Sequence, residues 1–528
     1  MSMWNNENLI KKLGVTFWGI GILVYFLSVV WVNLNGRQWY HFDIYSDAQV
    51  ARIMAEEATL FPSNWTFGNQ YYVVATPVVA SIIYSFIHDS FYALAIASCI
   101  MMIIVYAVFI WCLKPFISKS ALIAGLFCIS GAIILGSSAS TYENGFQIFY
   151  TMASYYSCYM IGMLYTLGVY FRLSRYNTVK KYKVGIALFL NFALGMQSLR
   201  ETIILNIPLI IVAIYQIKSG EYKNCRTFPI IALVANVCGV ILANLLPISN
   251  NSIISSAYQN GFIENVKTSL YDFFSINGLA FITFDGLKSI LLFTLAIFIN
   301  IAVLYSLIRV VYTKDMTPVG IAIIFCAISL SGVFISGVFI IKTRPIYFFM
   351  WYFLAIFSII YCINLYEKDL KKYVMFCFLL LLCGGVNYLC NFYIDYNQFS
   401  ARNNFYQKIT NQLRNEGIEF LYTDWRTPPI IPAFSDDQIQ MGVFTMDVEE
   451  KYETLTYPIQ YLQKSGLFNE QHERKSYVVF SNASIEYIKN EAPSKYRDEL
   501  LSHLNFIREE IFDNQEILRF YRIKESIF

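Results

Sequence analysis

The sequence predicts a polytopic α-helical membrane protein with about eleven transmembrane helices and a C-terminal extracytoplasmic α/β domain. Three observations support this prediction, and two of them concern composition. Of the 528 residues 57% are hydrophobic and only 14% are charged, with a mean hydropathy of +0.48, whereas soluble domains are about 25% charged. The third is a change of pattern, because long apolar runs recur up to residue 390 and dense charge follows over 391–528. A net charge of only +3, scattered along the chain, argues against a nucleic-acid partner.

Eleven apolar runs are long enough to cross a bilayer as helices. They lie near residues 14–34, 91–113, 120–138, 154–171, 184–199, 201–217, 228–246, 289–308, 319–341, 345–363 and 373–390. The further run at 71–87 contains Pro77 and is only about long enough to cross. If it is a juxtamembrane helix that does not cross, most loop Lys and Arg residues fall on one side, as they do on cytoplasmic sides. We therefore predict a multi-pass plasma-membrane protein with a cytoplasmic N-terminus and an extracytoplasmic C-terminus.

Residues 391–528 have the pattern of a separate α/β domain, following a membrane domain over 1–390. The stretch TNQLRNEGIEFLYTDW predicts a helix that stops at Gly417 and a strand behind it. AFSDDQIQMGVF and SYVVFSNAS predict further strands, and APSKYRDELLSHL predicts a helix. An odd number of spans places this domain on the same side as the first loop.

That side of the membrane gathers polar residues from several loops. The first outer loop, 35–70, follows the first span and holds Asp43 and Asp47 in YHFDIYSDAQVARIMAEEATLFPSNW. The later outer-face candidates are Glu143, Lys342, Arg344 and Tyr347. Charged groups near a bilayer are costly and usually face a cavity or a partner. These residues are therefore candidates for a site at the membrane surface.

The residue types suit transfer of a group from a lipid phosphate. A carboxylate can take a proton from an acceptor hydroxyl, and the planar fork of arginine suits a phosphate. Asp47 and Arg344 are the first choices for these two roles.

Structural interpretations stand beside these roles. Asp43 or Asp47 could cap a helix that starts near Ala48, Glu143 could be an ordinary loop carboxylate, and Lys342 and Arg344 could be snorkelling anchors. Arg200 and Glu201 are more readily interpreted as a structural ion pair than as catalytic groups.

The arrangement resembles the GT-C superfamily of integral-membrane glycosyltransferases, especially bacterial enzymes that use polyprenyl-phosphate sugars. The matching features are the acidic first loop DAQVARIMAEEATLFPSNW, the proline-containing interfacial helix ATPVVASIIYSF, and an acidic position after the third helix at Glu143. The late element RPIY is similar to the family's phosphate-contacting region, and YTDWRTPPIIPAFSDDQIQMGVF is similar to outer domains seen behind some members.

The resemblance implies a glycosyltransferase that moves one sugar, hexosyl or pentosyl, from a polyprenyl-phosphate carrier to an extracytoplasmic acceptor. The acceptor would be a cell-surface glycan or teichoic polymer, and a single displacement would invert the anomeric centre. The implied catalytic residues are Asp47, Asp43 and Glu143, and the implied donor phosphate-binding residues are Arg344, Lys342 and Tyr347. No cofactor is required by the pattern, and a divalent metal is left open.

Two other functions fit the same membrane architecture. A transporter or flippase of lipid-linked saccharides would share the helices and cations, but it more often shows repeat symmetry and charges at mid-membrane depth. A polysaccharide polymerase or ligase would use a large late outer loop in place of an acidic first loop. The repeat symmetry and the mid-membrane charges are not evident in the sequence, and the acidic first loop favours the transferase.

Overall fold

The computed structural model describes residues 2–63, 65, 71–134, 150, 156–176, 179–218, 227–246, 261–280, 287–340, 343–392, 395–424, 426–443, 475–490, 504–513 and 516–523. For residues 2–10, 287–289, 390–391, 443 and 523 only the backbone is described.

The described residues in the first three-quarters of the chain are mostly helical. Its α-helices are α1 (Ser2–Asn35), α2 (Phe42–Glu56), α3 (Thr76–Ile87), α4 (Ser90–Leu113), α5 (Lys119–Phe127), α6 (Ser157–Tyr176), α7 (Lys181–Gln197), α8 (Ile207–Lys218), α9 (Thr227–Leu245), α10 (Phe262–Ile276), α11 (Leu287–Thr313), α12 (Pro318–Phe339), α13 (Met350–Tyr366) and α14 (Leu370–Phe392). Short 3₁₀ helices cover Gly36–Trp39 and Pro345–Phe348, and π-helical turns cover Cys128–Ala132 and Thr202–Asn206. Each of the eleven predicted runs coincides for most of its length with helix.

The helices confirm a polytopic membrane architecture, whereas the number eleven stays a prediction. Among the described residues, seven helices are long and apolar enough to span a bilayer. They are Lys11–Trp39, Ser90–Leu113, Thr227–Leu245, Ile290–Thr313, Pro318–Phe339, Pro345–Tyr366 and Leu370–Leu389. The run at 71–87 forms only the 12-residue helix α3, which at 1.5 Å per residue is too short to cross about 30 Å of hydrocarbon.

Helix packing relies on small residues at close crossings. At the crossing of α7 and α9, a Cβ built on Gly195 would lie 2.1 Å from the Asn236 carbonyl oxygen, and one on Gly239 would lie 2.0 Å from that of Phe192. Only glycine permits these contacts, as is common where membrane helices pack closely. The Asn236 side chain also donates to the Asn191 carbonyl at 3.0 Å, so a buried polar bond joins the same two helices.

The chain ends in an α/β domain, as the composition predicted. Helix α15 (Tyr396–Asn415), capped by the Asp395 carboxylate, leads into β1 (Phe420–Thr423), α16 (Ile430–Phe434), β2 (Gln440–Val443), β3 (Ser476–Ser481), α17 (Asn482–Asn490), β4 (Leu504–Ile511) and β5 (Ile517–Ile523). The described strands form one sheet in the order β2-β1-β3-β5-β4. Strands β1, β2 and β3 are parallel, and β5 is antiparallel to β3 and β4. The helix predicted from APSKYRDELLSHL lies outside the described residues.

The α/β domain packs directly on the first loop. One hydrophobic cluster joins Tyr45 and Ala48 of α2 with Phe91 of α4, and with Met441 and Phe520 of the sheet. The first loop and the C-terminal domain therefore lie on one face of the helical bundle. Which side of the membrane that face occupies stays a prediction.

Candidate active site

Both predicted aspartates lie on α2, which begins earlier than the sequence suggested. The N-cap position is His41, and its extended backbone precedes a 15-residue helix. Asp43 lies in the first turn, where a negative charge complements the helix dipole. Asp47 lies in the middle of the helix. The interpretation of either aspartate as the cap of a helix starting near Ala48 is therefore wrong.

Asp47 is a buried carboxyl group that is hydrogen-bonded to Tyr72. Its residue is 1% exposed, and the Tyr72 hydroxyl donates a hydrogen bond to Oδ1 at 2.7 Å. Burial raises the pKa of Asp47 from 3.8 to about 8, the Tyr72 hydrogen bond opposes this change, and the charge of Asp43 adds to it. A carboxyl with a pKa near the working pH is suited to accept a proton during a reaction.

The structure distinguishes the candidate carboxylates from one another. The Asp43 side chain is exposed at the surface of α2, whereas Asp47 is enclosed between α2 and the segment that leads into α3. Glu143 lies outside the described residues, so its predicted role stays a prediction. Of the two aspartates, Asp47 alone has the buried environment that perturbed catalytic groups commonly show.

The predicted phosphate-binding segment precedes α13. Arg344 is exposed and immediately precedes the 3₁₀ turn in which Tyr347 is half-buried. Thr343, next to Arg344, is buried and donates from Oγ1 to Oδ2 of Asp272 at 2.6 Å. The Ser269 hydroxyl lies 3.3 Å from the same Oγ1. Helix α10 therefore anchors the backbone that presents Arg344. Lys342 lies outside the described residues.

The side chain of Arg200 lies beside the segment that contains Arg344 and Tyr347. The sequence did not predict this contact. The guanidinium carbon of Arg200 lies 4.9 Å from the ring centroid of Tyr347, 4.9 Å from that of Tyr156 and 5.6 Å from that of Tyr159. Stacking of this kind orients a guanidinium while its edge can still bond an anion. The Tyr156 hydroxyl also lies within electrostatic reach of both Arg200 and Arg344. Two arginines thus lie near Tyr156.

The suggested ion pair between Arg200 and Glu201 does not form. Glu201 is fully buried, and within the described part of the chain neither carboxylate oxygen has a hydrogen-bond partner. Adjacent residues on a helix do not face each other, and Arg200 is directed to the tyrosines instead. Sequence adjacency was the misleading signal, and the aromatic residues that surround Arg200 come from distant segments.

The carboxylate region and the arginine region border one continuous core. Tyr72 and Tyr156 belong to the same hydrophobic cluster, and Tyr347 packs against it. Among the described residues, no group of three or more His, Cys, Asp or Glu side chains is placed to hold a metal ion. Glu143 lies outside that set, and the sequence had left the involvement of a divalent metal open.

Comparison with solved structures confirms the GT-C-like fold that the sequence predicted for this helical bundle and its terminal α/β domain. The chain is similar to ArnT from Cupriavidus metallidurans, a GT-C glycosyltransferase, in its undecaprenyl phosphate-bound crystal structure (TM-score 0.52, 11% identity, 95% of this chain and 98% of that chain). It is equally similar to the apo form (TM-score 0.53, 10% identity, 96% and 98%). No protein-family model and no curated protein matches the sequence. At this identity the likeness establishes the fold.

Proposed function

We propose that this protein is a membrane glycosyltransferase that moves one sugar from a polyprenyl-phosphate carrier to an acceptor on the extracytoplasmic side. The observation that carries the proposal is Asp47, a buried carboxyl group bonded to Tyr72 at 2.7 Å on the first-loop helix of a GT-C fold. Ionising a fully buried carboxyl group costs stability, so the presence of Asp47 at this position calls for a functional reason.

In this mechanism Asp47 acts as the general base. The acceptor hydroxyl transfers its proton to Asp47 Oδ2, the oxygen that Tyr72 does not occupy, as its own oxygen attacks the anomeric carbon. The bond between that carbon and the phosphate oxygen breaks in the same displacement, so the sugar inverts and the carrier leaves as a phosphate monoester. Because Asp47 is 1% exposed, the acceptor must displace part of its cover to reach it.

The two arginines supply the charge that the leaving group requires. As the glycosidic bond breaks, negative charge grows on the phosphate, and preorganised guanidinium groups stabilise that charge. Arg344 is exposed and anchored through Thr343, and Arg200 is oriented by tyrosine rings. Tyr347 and Lys342 are the further proposed phosphate contacts.

The nature of the donor is inferred from the structural neighbour. ArnT was crystallised with undecaprenyl phosphate, and a polyprenyl phosphate carrying one sugar is the donor we assign here. The acceptor we propose is a cell-surface glycan or a teichoic polymer. Its hydroxyl would approach from the face of the helical bundle on which the first loop and the α/β domain lie.

The proposal is tested with purified protein in liposomes that contain a polyprenyl-phosphate sugar labelled in the sugar, with cell-wall glycan or teichoic acid as acceptor. A transferase converts the carrier to free polyprenyl phosphate while an equal amount of label enters the acceptor. A flippase moves the labelled lipid between leaflets and leaves the sugar attached. Movement of the labelled lipid between leaflets without release of free polyprenyl phosphate would contradict the proposal. Asp47→Asn is the matched control, in which the release of free polyprenyl phosphate should be lost.

A further inference from the structure

The loop between α16 and β2 has an unusual backbone. Asp436 and Asp437 are consecutive residues with φ of 50° and 61°. This left-handed conformation is unfavourable for residues other than glycine, although aspartate tolerates it better than most. Such conformations persist where the surroundings fix them, which directs attention to what the two side chains contact.

Asp437 bonds two elements of the membrane domain at once. Its carboxylate accepts from the Ser90 backbone N–H at 2.7 Å and from the Ser90 hydroxyl at 2.6 Å. It also accepts from the Gln49 amide at 3.1 Å. Ser90 is the first residue of α4, where a carboxylate also complements the helix dipole. A residue of the C-terminal domain thus ties α2 to the start of α4.

The contact with α2 lies on the side opposite Asp47. Gln49 and Tyr45 are four residues apart and share one face of the helix, and the Tyr45 hydroxyl accepts from the Met441 backbone N–H at 2.9 Å. Asp47 lies two residues from each, which is about 200° around the axis. The C-terminal domain therefore holds one face of α2 while the other face presents Asp47 to Tyr72.

We propose that Asp437 is a positioning residue for the transfer reaction, which fixes α2 against α4 and so sets the location of the Asp47 carboxylate. The inference rests on the proposed function for its kinetic consequence. Its structural consequence, the ordering of α2, can be measured without any substrate.

The kinetic test compares three substitutions at one position. Asp437→Ala should lower kcat about tenfold or more, because a small misplacement of a catalytic group is costly, with KM for the donor within about twofold. Asp437→Asn keeps an oxygen that can accept from Ser90 and tolerates the backbone, so it should retain at least about a third of kcat. Asp437→Gly relieves the backbone conformation but lacks the carboxylate, so it should be as impaired as Asp437→Ala.

The substrate-free test is hydrogen–deuterium exchange of peptides that cover residues 42–56. Exchange in this helix should be about tenfold faster in Asp437→Ala and Asp437→Gly than in the unmodified protein, and unchanged in Asp437→Asn. Glu486→Ala, on the exposed side of α17, is the control that should alter neither measurement.

Distinct results would overturn the inference. Normal exchange and normal kcat in Asp437→Ala would show that the carboxylate does not position α2. Recovery of both in Asp437→Gly would show that the backbone, and not the carboxylate, is responsible. Faster exchange in a protein that transfers no sugar from any polyprenyl-phosphate donor would support the ordering role and refute the proposed function instead.

Discussion

Asp47→Asn separates the catalytic role of this residue from a structural one. Asparagine has nearly the same size and can still accept the Tyr72 hydrogen bond through its amide oxygen, but it cannot take up a proton. We therefore expect the variant to fold, insert and bind the donor, while turnover falls by roughly two to four orders of magnitude.

The pH dependence of the unmodified enzyme follows from the same group. With a pKa of about 8 for Asp47, about one molecule in ten carries the ionised base at pH 7. The rate of transfer should therefore increase almost tenfold between pH 6 and pH 7 and level off above pH 8. The reason is that only ionised Asp47 can take the proton from the hydroxyl group of the acceptor. The residual activity of Asp47→Asn should lack this rise.

The free energy of unfolding should decrease as the pH rises, whereas the transfer rate increases. The pKa of Asp47 rises from 3.8 to about 8 on folding, so between these pH values the folded state holds a proton that the unfolded state has lost. Stability from this group is thus fully present below pH 4, declines as the pH rises to 8, and is constant above. At roughly 1.4 kcal/mol per pKa unit, the upper bound on the loss in the free energy of unfolding is about 6 kcal/mol. Asp47→Asn should remove this decline.

The assay measures free polyprenyl phosphate released in liposomes from pH 5.5 to 9, together with thermal unfolding in detergent over the same range. Asp43→Asn is the matched control, since it alters an exposed carboxylate on the same helix and should keep near-normal transfer. If Asp47→Asn transfers sugar normally and Asp43→Asn does not, the base is Asp43. If both remain active, no aspartate of α2 is the base.

Three further predictions concern neighbouring features. Tyr72→Phe removes a hydrogen bond that lowers the pKa of Asp47, so the pH–rate profile should move about one unit to higher pH, whereas Tyr71→Phe should leave it in place. Arg344→Ala should raise KM for the donor at least tenfold through loss of a charge-assisted contact; an unchanged KM would make Arg344 a membrane anchor. With native cysteines replaced, an impermeant thiol reagent added outside the cell should label Ser63→Cys and not Lys314→Cys; the reverse pattern would refute the predicted topology.

Part of the site was accessible from local sequence. Asp47 stood out because a charged stretch beside a long apolar run is unusual, and the RPIY element pointed to Arg344 and Tyr347. The helix start was misjudged, because α2 begins at Phe42 after His41 without a conventional capping side chain. Local pattern named these residues and ranked Asp47 before Asp43, but it could not show that Asp47 is buried and Asp43 exposed, since exposure depends on what packs against each face of the helix.

The fold class was determined by the sequence itself, because the bilayer imposes one rule on every segment that crosses it. Apolar runs of spanning length must be helical, and Lys and Arg are more frequent in the loops on the cytoplasmic side. A polytopic architecture is therefore encoded in local sequence. The change of composition after residue 390 similarly encodes an α/β domain outside the bilayer.

Only the tertiary structure brought Tyr72 to Asp47, Arg200 to Tyr347, and Asp437 to the start of α4. These contacts join residues separated by 25, 147 and 347 positions, and no periodic pattern links such partners. Their geometry depends on how helices and sheet pack together, which is a property of the whole core. The sequence by itself therefore determined that the chain is a polytopic helical membrane protein with a terminal α/β domain, and packing decided which side chains meet.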